Sequence, residues 1–245
     1  MKMFADLHMC PSIENLNKVE KIVSKSSELG YHHIGISIPP NTARQEIRIL
    51  QKICSDRGID FVTRVDFTPK NPRELLNNLR HFRRRVEVIS VMCISKSVAR
   101  QAAKDRRVDL LLFPTDPSRR FFDLAEAELA SGTSVSLEID MAPLLLLKGV
   151  ARIRLLSCLR KEAKVAKKFN VPIVVSSGAT NEYLLRSPQD YAALTSLFDL
   201  TPTLRLRVVS ENSMAIIKRN REKLSSDYCA PGIRVIRREK SCSSV

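Results

Sequence analysis

The run "FADLHMC" (4–10) carries Asp6, His8 and Cys10 at alternating positions. On a β-strand, a spacing of two puts all three side chains on one face. A carboxylate, an imidazole and a thiol on one face could begin a metal site. Metal phosphoesterases need several such groups, with neutral imidazoles binding the ions and carboxylates bridging them. The chain supplies further polar residues at the ends of apolar runs: Ser37, Arg64 with Asp66, Ser95, Thr115 with Asp116, Glu138 with Asp140, and Ser176 with Ser177. The ligand count is nevertheless short, because the sequence holds four histidines in all. His32 and His33 open their apolar run, the wrong end for a site, and His81 lies in a helical stretch. His8 alone is placed as a ligand, with Cys10 as the next donor. Nucleophilic chemistry has less support still, since Ser37 is followed by Ile38 and Pro39 and no G-x-S-x-G elbow occurs. The bland alternative for Asp6 and His8 is a buried, hydrogen-bonded pair that supports the scaffold. Glu138 and Asp140 can pair with arginines, and "SSGAT" (176–180) can offer backbone N–H groups to an anion.

These residues are positioned by a repeating pattern. Short apolar runs at 2–9, 32–39, 59–68, 86–95, 108–115, 134–145 and 171–180 read as strands. Amphipathic stretches at 15–30, 42–58, 71–85, 97–107, 119–133 and 149–170 read as the helices between them. Gly30 and Gly58 close two of them, Thr42 and Asn71 cap two, and Pro72 takes a first helical position. Two more helical patterns follow, at 188–200 and 211–224, and then a Pro-Gly tail. Strict βα alternation with nearly all-apolar strands means parallel strands buried on both faces. About seven to eight such strands predict an α/β, TIM-barrel-like fold, with the whole of 1–245 as one domain carrying a basic C-terminal helix and tail. A Rossmann glycine fingerprint and a P-loop are both missing.

The net charge is +15 over 245 residues, a polyanion-binding footprint. The basic residues gather on helix faces. Arg73, Arg80 and Arg84, with Asn77, share one face of 71–85, opposite Leu75, Leu79, Phe82 and Val86. Arg154, Lys161, Lys164 and Lys168 line one side of 149–170, with Leu156, Leu159, Ala163 and Ala166 broadly across from them. A third cluster, "KRNREK", holds Lys218, Arg219, Arg221 and Lys223. An ordinary solvated face mixes charge signs, and these faces hold almost no acids, so they are candidates for sequence-blind contact with RNA phosphates. Aromatics make up 5% and tryptophan is absent, which argues against a platform for stacking single-stranded bases. Candidate protein-docking residues are the exposed parts of Phe121, Phe122 and the helix 188–200, with ordinary core as the alternative for both.

Six cysteines are scattered singly at 10, 54, 93, 158, 229 and 242, without a CxxC, as expected for reduced thiols in the cytoplasm. "MAPLLLLKGV" is interrupted by Pro143 and ended by Lys148, so no membrane span is expected. Asp6 also interrupts the place where a signal peptide would have its apolar core.

"FADLHM", "LEIDMAPLL", "VVSSGAT" and above all "NREKLSSDYCAPGIRVI" resemble the ribonuclease P protein component 3 family, archaeal relatives of the thirty-kilodalton subunit of eukaryotic ribonuclease P. The resemblance runs from about Met3 to Ile236 and is most specific from Asn220 to Gly232. It implies a barrel related to the PHP phosphoesterases but lacking their full ligand set. It also implies a role in the ribonucleoprotein that cleaves the 5′ leader from precursor tRNA. There the RNA is the catalyst and uses magnesium, while the protein binds no cofactor of its own. It works with component 2 and the other protein subunits to activate the RNA. Asp6 and His8 would then be vestiges of a metal site, with Cys10 standing where a further ligand would be. Two other functions stay open from the residues alone: a free-standing PHP-like metal-dependent phosphoesterase using Asp6, His8, Asp66 and Glu138, and a barrel enzyme of small-molecule metabolism.

Overall fold

The computed structural model describes residues 3–230 and 233–235. Seven parallel strands lie in sequence order: β1 (Ala5–Met9), β2 (His33–Ser37), β3 (Asp60–Phe67), β4 (Val88–Met92), β5 (Leu110–Leu112), β6 (Ser136–Asp140) and β7 (Ile173–Ser176). The ring nearly closes where Met9 bridges Ala179 and Cys10 N donates to Ala179 O at 2.8 Å. Lower down, Val175 N donates to Val208 O and Ala5 N to Val209 O, so a short connector takes the place of an eighth strand. The expected TIM-barrel-like fold is therefore present with seven strands.

Helices α1 (Leu16–Glu28), α2 (Arg44–Ser55), α3 (Pro72–Phe82), α4 (Lys96–Lys104), α5 (Leu124–Ser131), α6 (Ala142–Leu146) and α7 (Gly149–Lys168) surround it. Their apolar faces and the outward strand residues make one continuous core. Asn71 caps α3 by accepting from Glu74 N, with Pro72 at the first position, as the sequence predicts. Thr42 is not a cap. Its hydroxyl turns back to Pro39 O, and α2 instead begins at Arg44, where Glu46 reaches back to Ala43 N. On α7, Leu155 is buried and Leu156 only partly so, which shifts the predicted apolar face by one residue.

Among the described residues three further α-helices follow, α8 (Pro188–Leu194), α9 (Pro202–Arg207) and α10 (Glu211–Leu224), and then strands β8 (Tyr228–Ala230) and β9 (Ile233–Arg234). Ile216 and Ile217 of α10 pack against Ala5, Leu7, Val62, Val88, Leu110 and Val174. These lie toward the N-terminal ends of the strands, so α10 plugs the barrel from below. Of the two readings of the docking candidates, the core one holds for Phe122, Tyr191 and Phe198, which are buried, and for Phe121, which packs against the core. Leu197 of the stretch 188–200 is 40% exposed, and Leu146, Val150 and Ile153 are exposed around the start of α7. Pro231, Gly232 and Cys242 lie outside the described residues.

Candidate nucleic-acid interface and barrel mouth

At the C-terminal end of the strands the polar residues converge around one arginine. Arg64 is completely buried, and each of its five N–H groups is used. Nη1 and Nη2 hold the two oxygens of Glu138 at 2.6 and 2.7 Å, Nε and Nη2 hold Asp66 Oδ1 at 2.9 and 2.6 Å, and Nη1 also donates to Leu7 O at 2.9 Å. Gly35 belongs to this arrangement, because a Cβ there would collide with the same Leu7 carbonyl. Burial opposes charge on all three ionic groups. The pairing outweighs it, holding Arg64 well above its ordinary pKa and both Asp66 and Glu138 below theirs. Ser176 Oγ donates to Glu138 Oε1 at 2.7 Å, and Ser37 donates to Asp66.

His8 stands beside this network. Its Nδ1 meets Asp140 Oδ1 at 2.8 Å and its Nε2 meets Cys10 Sγ at 2.9 Å. Burial and Arg64 work against its protonated form, yet Asp140 keeps its pKa well above the usual imidazole value. His8, Glu138 and Asp140 each offer a donor atom within 4.8 Å of the others. The set nonetheless does not fit a divalent ion. Both Glu138 oxygens are held by Arg64, and both His8 nitrogens are engaged. A fixed guanidinium charge thus stands where a metal's charge would be needed. The cavity beside Glu138 and Asp140 is about 70 Å³, against roughly 300–1,000 Å³ for small-molecule sites, which bears on an organic substrate and not on an ion.

Asp6 does not form a side-chain pair with His8. Its Oδ1 accepts from the backbone N–H groups of His8 and Ser177, each at 3.0 Å, while its Oδ2 is buried with no partner. The N–H groups of "SSGAT" are thereby spent internally, on Asp6, His8 O and Ser177 Oγ, and leave no anion nest at 177–179. Burial raises the Asp6 pKa from 3.8 to about 6. An acid whose folded pKa is raised contributes stability below its unfolded pKa and loses it as pH rises through the folded value. Asp6→Asn retains the Oδ1 acceptor and removes the buried charge. Its stability relative to the native chain should be near zero at pH 4 and rise to a gain of about 2 kcal/mol at pH 8. Urea titrations at the two pH values measure this, and a difference independent of pH would refute it.

The basic faces fall into two groups. Arg73, Arg80 and Arg84 are exposed on or just beyond α3, and Arg154, Lys161, Lys164 and Lys168 are exposed on α7. These helices are not adjacent; α4 and α5 pack between them around the ring. The α7 face has its acid removed inward, as Glu162 is buried against Arg120 at 2.6 Å. The cluster on α10 divides. Lys218 and Lys223 are exposed, but Arg219 and Arg221 depart from the expected free face. Arg219 pairs with Asp109, and Arg221 pairs with Asp60 and Glu87. The reason is the plug: the strand ends above α10 carry these acids, and α10 points its arginines at them. Asn220 joins in, donating to Glu87 O and Asp109 Oδ1 at 2.7 and 2.8 Å. Arg106, which the stripe pattern overlooked, is exposed in the turn between α4 and β5. Its signal was the "DRR" triplet, in which Asp105 satisfies only Arg107.

A family model described as RNase P subunit p30 matches residues 3–225. The chain belongs to this family. Ribonuclease P protein component 3 of Methanosarcina mazei is 30% identical over 233 residues, 95% of each chain. That of Methanococcoides burtonii is 26% identical over 234 residues, covering 96% of this chain and 94% of the relative. A chain in the cryo-EM structure of archaeal ribonuclease P with mature tRNA shares the fold, with a TM-score of 0.84 at 23% identity over 96% of this chain and 99% of that one. The p30 resemblance drawn from the sequence therefore holds. Its most specific stretch, beginning at Asn220 and Arg221, is the part of α10 that clamps the barrel floor. Among the described residues no helix of this p30-family chain is long and apolar enough to cross a membrane.

Proposed function

We propose that this chain is a protein subunit of ribonuclease P, binding the catalytic RNA beside component 2 and the other subunits in the cytoplasm, and that it does not itself cut RNA. The observation that carries this is family membership over residues 3–225, with relatives aligned nearly end to end. Support comes from the mouth of the barrel. Barrel enzymes work at the C-terminal ends of their strands, and here Arg64 and its acids fill that place. The free charge lies on the outside, where the exposed basic residues of α3, α7 and α10 can meet phosphates. Magnesium then serves the RNA, and precursor tRNA is the substrate of the particle. The phosphoesterase alternative needs Glu138 and Asp66 as ligands, and both are already committed to Arg64.

The test is reconstitution. The protein alone should leave precursor tRNA intact, whereas its addition with component 2 to the cognate RNA should lower the magnesium concentration required for leader removal. Cleavage indifferent to this protein at every magnesium concentration would defeat the proposal.

A further inference from the structure

Beneath the barrel, on the side away from the polar mouth, lies an open pocket of about 480 Å³ walled by Arg83, Arg84, Arg106, Arg107, Lys223, Leu224, Ser225, Tyr228 and Cys229. Three segments distant in sequence build it: the turn that ends α3, the turn between α4 and β5, and the end of α10 with the start of β8. Its cations have two different jobs. Arg83 and Arg107 are structural. Arg83 binds Asp109 and the backbone oxygens of Glu87 and Arg107, and Arg107 chelates Asp105. Arg84, Arg106 and Lys223 form no ion pair with any described residue and are exposed. No acid lines the pocket. Burial, then the charge of Arg219, lowers the proton affinity of Lys223, and Asp109 opposes them.

We propose that this pocket seats the phosphodiester backbone of an RNA, with Arg84, Arg106 and Lys223 as the contacting cations. The inference rests on the reading of the chain as a ribonuclease P subunit and gives that reading a place on the molecule. An arginine fork matches a phosphate in two-point geometry, and Lys adds a point charge. Ser225 and Tyr228 add hydroxyl donors. Apolar lining is limited to Leu224, the Cys229 thiol and the Tyr228 ring, little anchorage for a folded protein partner. Arg84 also ends the α3 face, so Arg80 and Arg73 carry unpaired charge outward from the pocket along the barrel wall. A continuous track of this kind suits a polyanion longer than one acidic side chain. It also separates the RNA grip from the strand ends where barrel enzymes keep their chemistry.

The experiment uses the reconstituted particle with cognate ribonuclease P RNA. RNA affinity is measured over a salt series for the native chain and for Arg84→Gln/Arg106→Gln/Lys223→Gln. An equal neutralisation on α7, Arg154→Gln/Lys161→Gln/Lys164→Gln, gives the comparison. The three pocket cations leave no ion-pair partner stranded, so the melting temperature should hold. If the triple variant fails to fold, Arg106→Gln alone is read instead. The pocket variant should lose about 10- to 100-fold in affinity near physiological salt, and its log–log salt slope should fall by about two to three. For Arg106→Gln alone the slope should fall by about 0.7–0.9. Cys229, an exposed thiol in the pocket wall, should be alkylated more slowly in the particle than in the free protein. An unchanged salt slope with an RNA-requiring particle that still depends on the protein would overturn the pocket and leave the subunit assignment standing. Loss of a protein partner with an unchanged RNA slope would overturn it in favour of an acidic protein. Cleavage that never needs this chain would remove the subunit assignment itself.

Discussion

Arg64→Met should destabilise the chain by about 3–5 kcal/mol in a urea titration at pH 7. The estimate rests on what remains rather than on what is removed. Glu138 is fully buried, and Arg64 supplies both of its ionic contacts, with serine hydroxyls as its other partners. Without the guanidinium, either a carboxylate stays ionised inside the barrel or it takes up a proton at a cost set by its pKa. Asp66 loses two bonds as well, and the Leu7 carbonyl loses its donor. The partner test separates pairing from packing. Arg64→Met/Glu138→Gln should recover a substantial part of the loss, since a buried ion pair replaced as a unit costs far less than one broken in half. A single-variant loss below about 1 kcal/mol would mean that water reaches Glu138 and that the network does not hold the barrel together. Cleavage by a reconstituted particle should fall only as far as folded protein falls, because no reacting group is removed.

How much of this was legible in the sequence follows from the range over which each signal acts. The barrel was readable because its evidence is local and repeated: seven apolar runs with amphipathic stretches between them, some of those stretches marked at an end by a glycine such as Gly30 or Gly58 or by a cap such as Asn71. The α3 and α7 faces were readable for the same reason, since helical spacing alone decides which residues stand together. Arg64 was visible in "FVTRVDF" as a cation inside an apolar strand, but nothing nearby says that its partner is Glu138, 74 residues later. Arg219 and Arg221 misled in the opposite direction. A run of cations on an amphipathic helix reads as a solvated face, and the acids that turn it inward, Asp60, Glu87 and Asp109, lie on three other elements. His8 illustrates the limit for chemistry. Its spacing with Asp6 and Cys10 suggested a shared site, and Cys10 does meet the imidazole, yet Asp6 bonds the backbone and the other ring nitrogen faces Asp140.

Asp109→Ala should be comparably damaging, about 3–5 kcal/mol, and should damage RNA binding by a different route from the pocket cations. Asp109 is 1% exposed and accepts from four donors. Arg83 and Ile89 N reach Oδ2, while Arg219 and Asn220 reach Oδ1 at 2.8 Å each. It is the point at which the α3 turn, the β4 start and the α10 plug are joined. Removing its carboxylate leaves two partly buried guanidinium groups facing each other without a counter-charge. Asp109→Asn, which keeps the size and one acceptor, should lose less than Asp109→Ala. The two mechanisms separate by salt. If Asp109→Ala weakens RNA binding by releasing α10, the folded fraction should drop and the salt slope of the molecules that remain folded should keep its native value. Neutralising Arg84, Arg106 and Lys223 should do the reverse, leaving the melt intact and lowering the slope. A stable Asp109→Ala protein with a native melting curve would show that Ile216 and Ile217 hold the plug by burial alone. The ion pairs of the Asn220–Arg221 region would then be free to serve contact with another molecule instead of closure of the barrel.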